Sequence, residues 1–245
     1  AVATAFAAHA LMDVAEACDE PRLAELALEA VDYAAAELVV ERDGERWFGY
    51  YAGSTSAIHN SSLLLASVFA RALEPGDPRL EPAADAVRFT IARQRDDGSW
   101  PYGEEPSLAW VDGFHSAYNL DALDRWHVAT GDDQARAAVE RGLALYLDRL
   151  LDPDGAARAS LERRHPVDVH ACATAITTLA RLAASGWDTL DRAGAVLDWT
   201  LANMRRRDGR FAFQRHRFHR NPVPYVRWGD GHMMVALATY AEAAS

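Results

Sequence analysis

The sequence predicts an all-α chain, an α/α toroid of helical hairpins, on three observations. Asp-Gly turns recur at Asp43-Gly44, Asp97-Gly98, Asp154-Gly155 and Asp208-Gly209, with their glycines 54, 57 and 54 residues apart; self-similarity at a fixed period marks a repeat architecture. Between successive turns lie two Ala- and Leu-rich segments of about 15 to 20 residues whose apolar positions follow helical spacing. Alternate segments are apolar on nearly every side, as in Ser62-Leu63-Leu64-Leu65-Ala66-Ser67-Val68-Phe69-Ala70, and such a helix must be buried on every side. Inner helices surrounded by outer ones meet that requirement. A linear solenoid of hairpins is the competing architecture.

Taken in order, the helices are expected over 2–17, 21–39, 57–73, 79–94, 113–129, 133–150, 168–184, 188–204 and 231–243. The first pair is joined at Cys18-Asp19-Glu20-Pro21, where proline sets the opening turn of the next helix. Pro75-Gly76-Asp77-Pro78, Gly131-Asp132-Asp133 and Gly186-Trp187-Asp188 break the later pairs in the same way. Ser56, Asp112, Asp168 and Asp230 stand where an N-cap is wanted. The chain reads as a single domain over 1–245. Nine helices fall short of the six hairpins that close such a ring, so the ring is expected to be incomplete or truncated before Ala1.

Half the residues are hydrophobic and a quarter are charged, enough for one sizeable core without disorder or a disulfide framework. Cys18 and Cys172 lie far apart and outside any metal-ligand spacing, so a reducing, cytoplasmic setting with no metal and no cofactor is expected. No apolar run is long enough to cross a bilayer. All 25 basic residues are arginines, set against 36 acids for a net charge of −11. That balance argues against nucleic acid as a partner of the whole molecule.

A second periodicity runs through the inner helices. Each opens on a histidine, His59, His115, His170 and His232, at spacings of 56, 55 and 62. Three follow an aspartate, in Asp112-Gly-Phe-His115, Asp168-Val-His170 and Asp230-Gly-His232, while the other reads His59-Asn60. Capping explains the aspartates but not the histidines, whose cations a helix N-terminus disfavours. In a toroid these side chains would meet at one polar mouth.

Aromatic residues crowd the preceding loops. Trp47 and Phe211, directly after Asp-Gly turns, are expected to brace the repeats; Tyr50, Tyr51, Trp100, Tyr102 and Trp228 are placed for a cavity, where flat rings suit sugars or isoprenoid cations. From Arg205 to Arg227 stand eight arginines, with His216 and His219, against the single acid Asp208. Arginine forks bind carboxylate or phosphate bidentately. An anionic sugar or a lipid-linked glycan is the partner this loop fits.

Gln94-Arg-Asp-Asp-Gly98-Ser-Trp100 matches the QxxxGxW repeat of squalene and oxidosqualene cyclases; the resemblance implies a brace between helical repeats. Across nearly its whole length the chain resembles α/α-toroid proteins of polysaccharide biosynthesis loci, of prenyltransferase- or squalene-oxidase-repeat type. The residues that carry this are Ile58-His59-Asn60, Trp110-Val-Asp112-Gly-Phe-His115, Pro166-Val-Asp168-Val-His170 and Tyr225-Val-Arg227-Trp228-Gly229. Gly113 and Asp230 depart from the pattern, which has Asn and Gln there. Related toroids include terpenoid cyclases and six-hairpin glycosidases, polysaccharide lyases and uronate epimerases. Cyclisation of the terpenoid kind wants a DxDD acid motif, which Asp152-Pro-Asp154-Gly does not supply.

The resulting expectation is a carbohydrate-active protein of surface-glycan assembly. Asp112, His115, Asp168, His170 and Tyr225 are the candidate catalytic residues; Tyr50, Tyr51, His59, Asn60, Trp100, Tyr102, Arg227, Trp228, Asp230 and His232 are candidates for substrate binding. Hydrolysis would use Asp112 and Asp168 as a carboxylate pair. Lyase or epimerase chemistry would set Arg227 against a uronate carboxylate and use His115, His170 or Tyr225 as base. A noncatalytic glycan- or protein-binding module and an isoprenoid enzyme are the alternatives.

Overall fold

The computed structural model describes residues 1–245. Nine α-helices carry the chain: α1 Val2–Cys18, α2 Pro21–Glu37, α3 His59–Ala72, α4 Leu80–Ile91, α5 Gly113–Thr130, α6 Asp133–Leu145, α7 Val169–Ala184, α8 Leu190–Asn203 and α9 Gly231–Ala243. Strands occur only in connections. An antiparallel hairpin, β1 Val39–Arg42 with β2 Glu45–Phe48, follows α2, and a three-stranded patch, β3 Val167–Asp168, β4 Gln214–Arg215 and β5 Arg220–Asn221, lies around α7. The first hairpin replaces the end of the helix expected to 39 and the loop after it; its turn, Asp43-Gly44, has positive φ at both positions, the geometry that joins two twisted strands directly.

The chain divides into two compact units, 1–110 with 122–140 and 111–121 with 141–245. In the first, α3 packs on α1, α2 and α4, and is buried without a break from His59 to Phe69. Two of its serines are hydrogen-bonded: Ser62 Oγ accepts from Phe48 N at 3.0 Å, and Ser67 Oγ donates to Leu64 O at 2.8 Å. Each fully buried Leu or Phe on such a helix contributes about 1.5–3 kcal/mol. Gln94 is the brace its motif implies. Its amide donates to Gly98 O at 3.0 Å and to Ala138 O at 2.9 Å, tying the turn after α4 to α6.

In the second unit α7 is the buried helix, packed on α8 and α9. Cys172 lies within it, fully buried, whereas Cys18 in the first unit is exposed; both are free thiols.

The Asp-Gly turns share one hydrogen-bond pattern. Gly98 N, Gly155 N and Gly209 N donate to the carbonyls of Arg95, Asp152 and Arg206. The turn aspartates Asp97, Asp154 and Asp208 accept from the backbone N–H two residues on, at 2.9, 3.2 and 3.2 Å. All three glycines sit at φ of 84–93°, where an L side chain is disfavoured.

Two of the expected caps differ. Ser56 hydrogen-bonds Glu105 at 2.6 Å and leaves Ile58 to open α3. Asp230 falls inside a π-turn, Val226–Asp230, whose five-residue bond runs from Asp230 N to Tyr225 O; its carboxylate instead accepts from Arg210 Nε at 2.9 Å and Phe211 N at 3.0 Å.

Candidate active site

The second unit gathers its chemistry at the starts of α5, α7 and α9. Asp112 precedes α5 and uses both oxygens on one residue: Oδ1 accepts from His115 N at 2.9 Å and Oδ2 meets His115 Nδ1 at 2.6 Å. The same carboxylate therefore caps the helix and fixes the orientation of the imidazole. Gly113 follows because space is short there; a Cβ would come within 3.0 Å of Arg158 O.

Asp168 caps α7 differently. Its Oδ1 accepts from His170 N at 2.8 Å, while Oδ2 accepts from the Gln214 amide at 2.9 Å. The spacing to histidine is one residue shorter than at Asp112, and one residue is a turn of about 100° on a helix. His170 accordingly leaves its cap and meets the Tyr118 hydroxyl through Nε2 at 2.8 Å. Burial pushes the Asp168 carboxyl up from its ordinary value in spite of the two donors.

Rings join these groups. Phe114 lies 4.0 Å from His115 and 4.8 Å from His170, centroid to centroid. His170 lies 4.1 Å from His232 and 5.6 Å from Trp228. The Arg227 guanidinium stacks on Trp228 at 4.7 Å. Burial, and then the neighbouring His232 and His115, hold His170 down to about 3, so it is neutral at physiological pH. Burial lowers His232 as well, with Arg227 adding to the effect. Tyr118 is raised to about 12 by burial and stays a phenol. Its hydroxyl oxygen is the hydrogen-bond partner of His170 Nε2 and fixes the orientation of that ring.

Tyr225 is half-exposed, its ring edge-on to Phe213 at 4.7 Å; it supports the loop whose Phe213 carbonyl accepts from Val169 N. Phe114, Tyr118 and Gln214 were not among the sequence candidates. Tyr118 lies three residues after His115, hence on the same helix face, and that spacing could have revealed it. Gln214 reaches Asp168 only through the β3–β4 pairing, where Asp168 faces Gln214.

The remaining candidates lie in the first unit. His59 is buried with both ring nitrogens engaged, Nδ1 with Thr90 Oγ1 at 3.2 Å and Nε2 with Glu104 Oε1 at 2.8 Å. His59, then Arg93, hold Glu104 below the usual carboxylate range. Asn60 is buried beside it with no hydrogen bond to Oδ1. Trp100, expected at a cavity, is instead 3% exposed and spends its indole N–H on Thr90 O at 3.0 Å, as packing requires. Tyr102 stacks on Trp110 at 4.8 Å; Tyr50 and Tyr51 are exposed.

Known proteins resemble this chain in structure. An unsaturated glucuronyl hydrolase responsible for glycosaminoglycan degradation, from a Bacillus species, matches with a TM-score of 0.69 at 19% identity, over 89% of this chain and 68% of that one. A cellobiose 2-epimerase from Bacillus thermoamylovorans matches with a TM-score of 0.70 at 11% identity, over 99% and 71%. A GH76 α-mannanase from Bacteroides thetaiotaomicron matches with a TM-score of 0.69 at 12% identity, over 96% and 65%. The fold is the α/α toroid. No known sequence family and no curated protein matches by sequence. In toroid terms, the aspartate–histidine pairs described above stand at the starts of hairpin helices. No helix is long and apolar enough to cross a membrane.

Proposed function

We propose that this chain is a carbohydrate-active enzyme that hydrolyses a glycosidic bond next to an anionic sugar, using the cluster around Asp112, His115, Asp168 and His170. The observation that supports this most is the contrast between two capping aspartates. Asp168 is half-buried, and the loss of solvent raises its carboxyl from the ordinary value, whereas Asp112 is committed to orienting an imidazole. Groups whose surroundings divide them in this way serve as acid and base.

In the reaction, His115 Nε2 takes a proton from water as the water oxygen bonds to the anomeric carbon. The glycosidic C–O bond breaks and the leaving oxygen takes the proton held by Asp168. The His170 imidazole hydrogen-bonds a sugar hydroxyl, Trp228 offers a ring face to the sugar, and Arg227 meets its carboxylate. The structural neighbours include an enzyme named for unsaturated glucuronyl substrates, which agrees with an anionic sugar. A place in surface-polysaccharide biosynthesis, with a free or lipid-linked glycan as substrate, rests on the sequence resemblance. The free cysteines agree with a reducing compartment.

A second reading is favoured by Arg227, whose charge beside a uronate carboxylate would acidify the neighbouring carbon-bound proton. His115 would then abstract that proton in elimination or epimerisation.

The test is product analysis on uronate-terminated oligosaccharides. New reducing ends without the ultraviolet absorbance of an unsaturated uronate support hydrolysis. Absorbance, or an altered sugar with no bond cleaved, supports the second reading. Asp168→Asn and His115→Ala are each expected to lower kcat by about 10²- to 10⁴-fold. Wild-type activity in both variants, with sugar still bound intact, would leave a noncatalytic glycan-binding module.

A further inference from the structure

The arginine-rich loop has two ends that do different things. Its base is fixed: β4 pairs with β3 at Val167 and Asp168, Gln214 holds the Asp168 carboxyl, and the Arg206 guanidinium donates to Pro222 O. Its tip, His216–His219, is a turn closed by His216 N donating to His219 O at 2.9 Å. Phe218 at the tip is 87% exposed, the most exposed large hydrophobic side chain in the molecule. Arg217 lies over its ring at 5.0 Å, and the His216 and His219 rings stack at 4.2 Å with 10° between planes.

Charge sets this tip apart from its surroundings. From Gln214 to Asn221 there is no acidic residue, in a chain of net charge −11. Arg206 and Arg210 farther back are paired, with Asp208 at 3.0 Å and Asp230 at 2.9 Å. Arg215, Arg217 and Arg220 form no ion pair. An exposed phenyl ring between unpaired guanidinium groups gains nothing from folding. It does match a sugar chain that alternates CH faces with carboxylate or sulfate.

We propose that the tip of the β4–β5 hairpin is a distal subsite for a polyanionic glycan, gripping acidic units several sugars away from the one bound beside Asp168. The tip stands four residues on from Gln214, at most about 14 Å along the chain. One continuous oligosaccharide can therefore occupy Asp168 and the tip together. Phe218 stacks on a sugar face, and Arg217 and Arg220 fork onto acidic groups. The ligand class is thereby narrowed from a single anionic sugar to an extended chain of them. The proposal rests on the preceding reading in placing sugar next to Asp168.

The experiment is calorimetric titration of the full chain with a hyaluronan-derived disaccharide and hexasaccharide, with cellohexaose as the neutral control. The wild type is expected to bind the hexasaccharide at least about tenfold more tightly than the disaccharide, a gain of the size one or two charge-assisted contacts supply. The triple variant Arg217→Ala, Phe218→Ala, Arg220→Ala should lose that gain and hold the disaccharide as before, with weaker salt dependence. The double variant Arg217→Lys, Arg220→Lys should keep part of it. Equal hexasaccharide affinity in wild type and triple variant overturns the proposal, as does a hexasaccharide that fails to bind the wild type. Tighter tip-dependent capture by phosphatidylglycerol vesicles or by single-stranded RNA also overturns it, in favour of that partner. Turnover by Asp168→Asn is measured separately, so the acid assignment can fail while a tip-dependent affinity stands.

Discussion

His170 shows how a neighbouring residue sets a protonation state. Enclosed by Phe114, His232 and Trp228, it is held down to about 3, against the ordinary 6.5 it regains on unfolding. Between those values the unfolded chain binds a proton that the folded chain refuses. Stability is therefore whole above about pH 6.5 and declines as pH falls toward 3, by at most about 1.4 kcal/mol per pH unit from this group. Asp168 acts in the opposite sense, because its raised value favours folding at low pH and costs stability as pH rises through it. Urea midpoints measured across this range should fall less steeply for His170→Gln than for the wild type. Parallel curves would show that the imidazole is not kept neutral by its site. The in-register histidines were legible in the sequence. The reason His170 differs from His115 was there too, in one residue of spacing, but it has meaning only once the helix turns the side chain toward Tyr118.

At the scale of elements, the repeat was the most readable feature, since Gly44, Gly98, Gly155 and Gly209 all adopt the positive φ of a tight turn at near-regular spacing. What the sequence concealed is how crowded each turn is. A Cβ on Gly209 would meet nothing, whereas one on Gly155 would lie 2.3 Å from Ala195 O in α8. Both substitutions to alanine bear the backbone strain of about 1–2 kcal/mol. Gly155→Ala should lose a further 1–3 kcal/mol or so from the clash, seen as a lower midpoint in chemical denaturation. Equal losses at the two positions would mean that α8 yields freely. The helices came within a few residues of their expected bounds because apolar spacing over a dozen or more residues is a strong constraint. The β3–β4–β5 patch did not, because each strand is two residues long and exists only by pairing with segments remote in sequence. Gln214 was missed for the same reason.

For the molecule as a whole, composition and periodicity indicated the all-α toroid, and they located the candidate residues by register. They gave no hint that the chain forms two compact units with α5 and α6 each passing from one to the other, since packing density is not written in local pattern. Each unit carries one cysteine in an opposite state. Cys18 is open to solvent, whereas Cys172 is enclosed in α7 with its thiol pushed up to about 11. A thiol-labelling reagent should modify one equivalent at once and a second only as α7 opens. Two equally fast equivalents would show that the interior of the second unit is accessible. The one enclosed thiol is thus a natural stopwatch for local breathing beneath His170, two positions away, and it needs no engineered probe to be read.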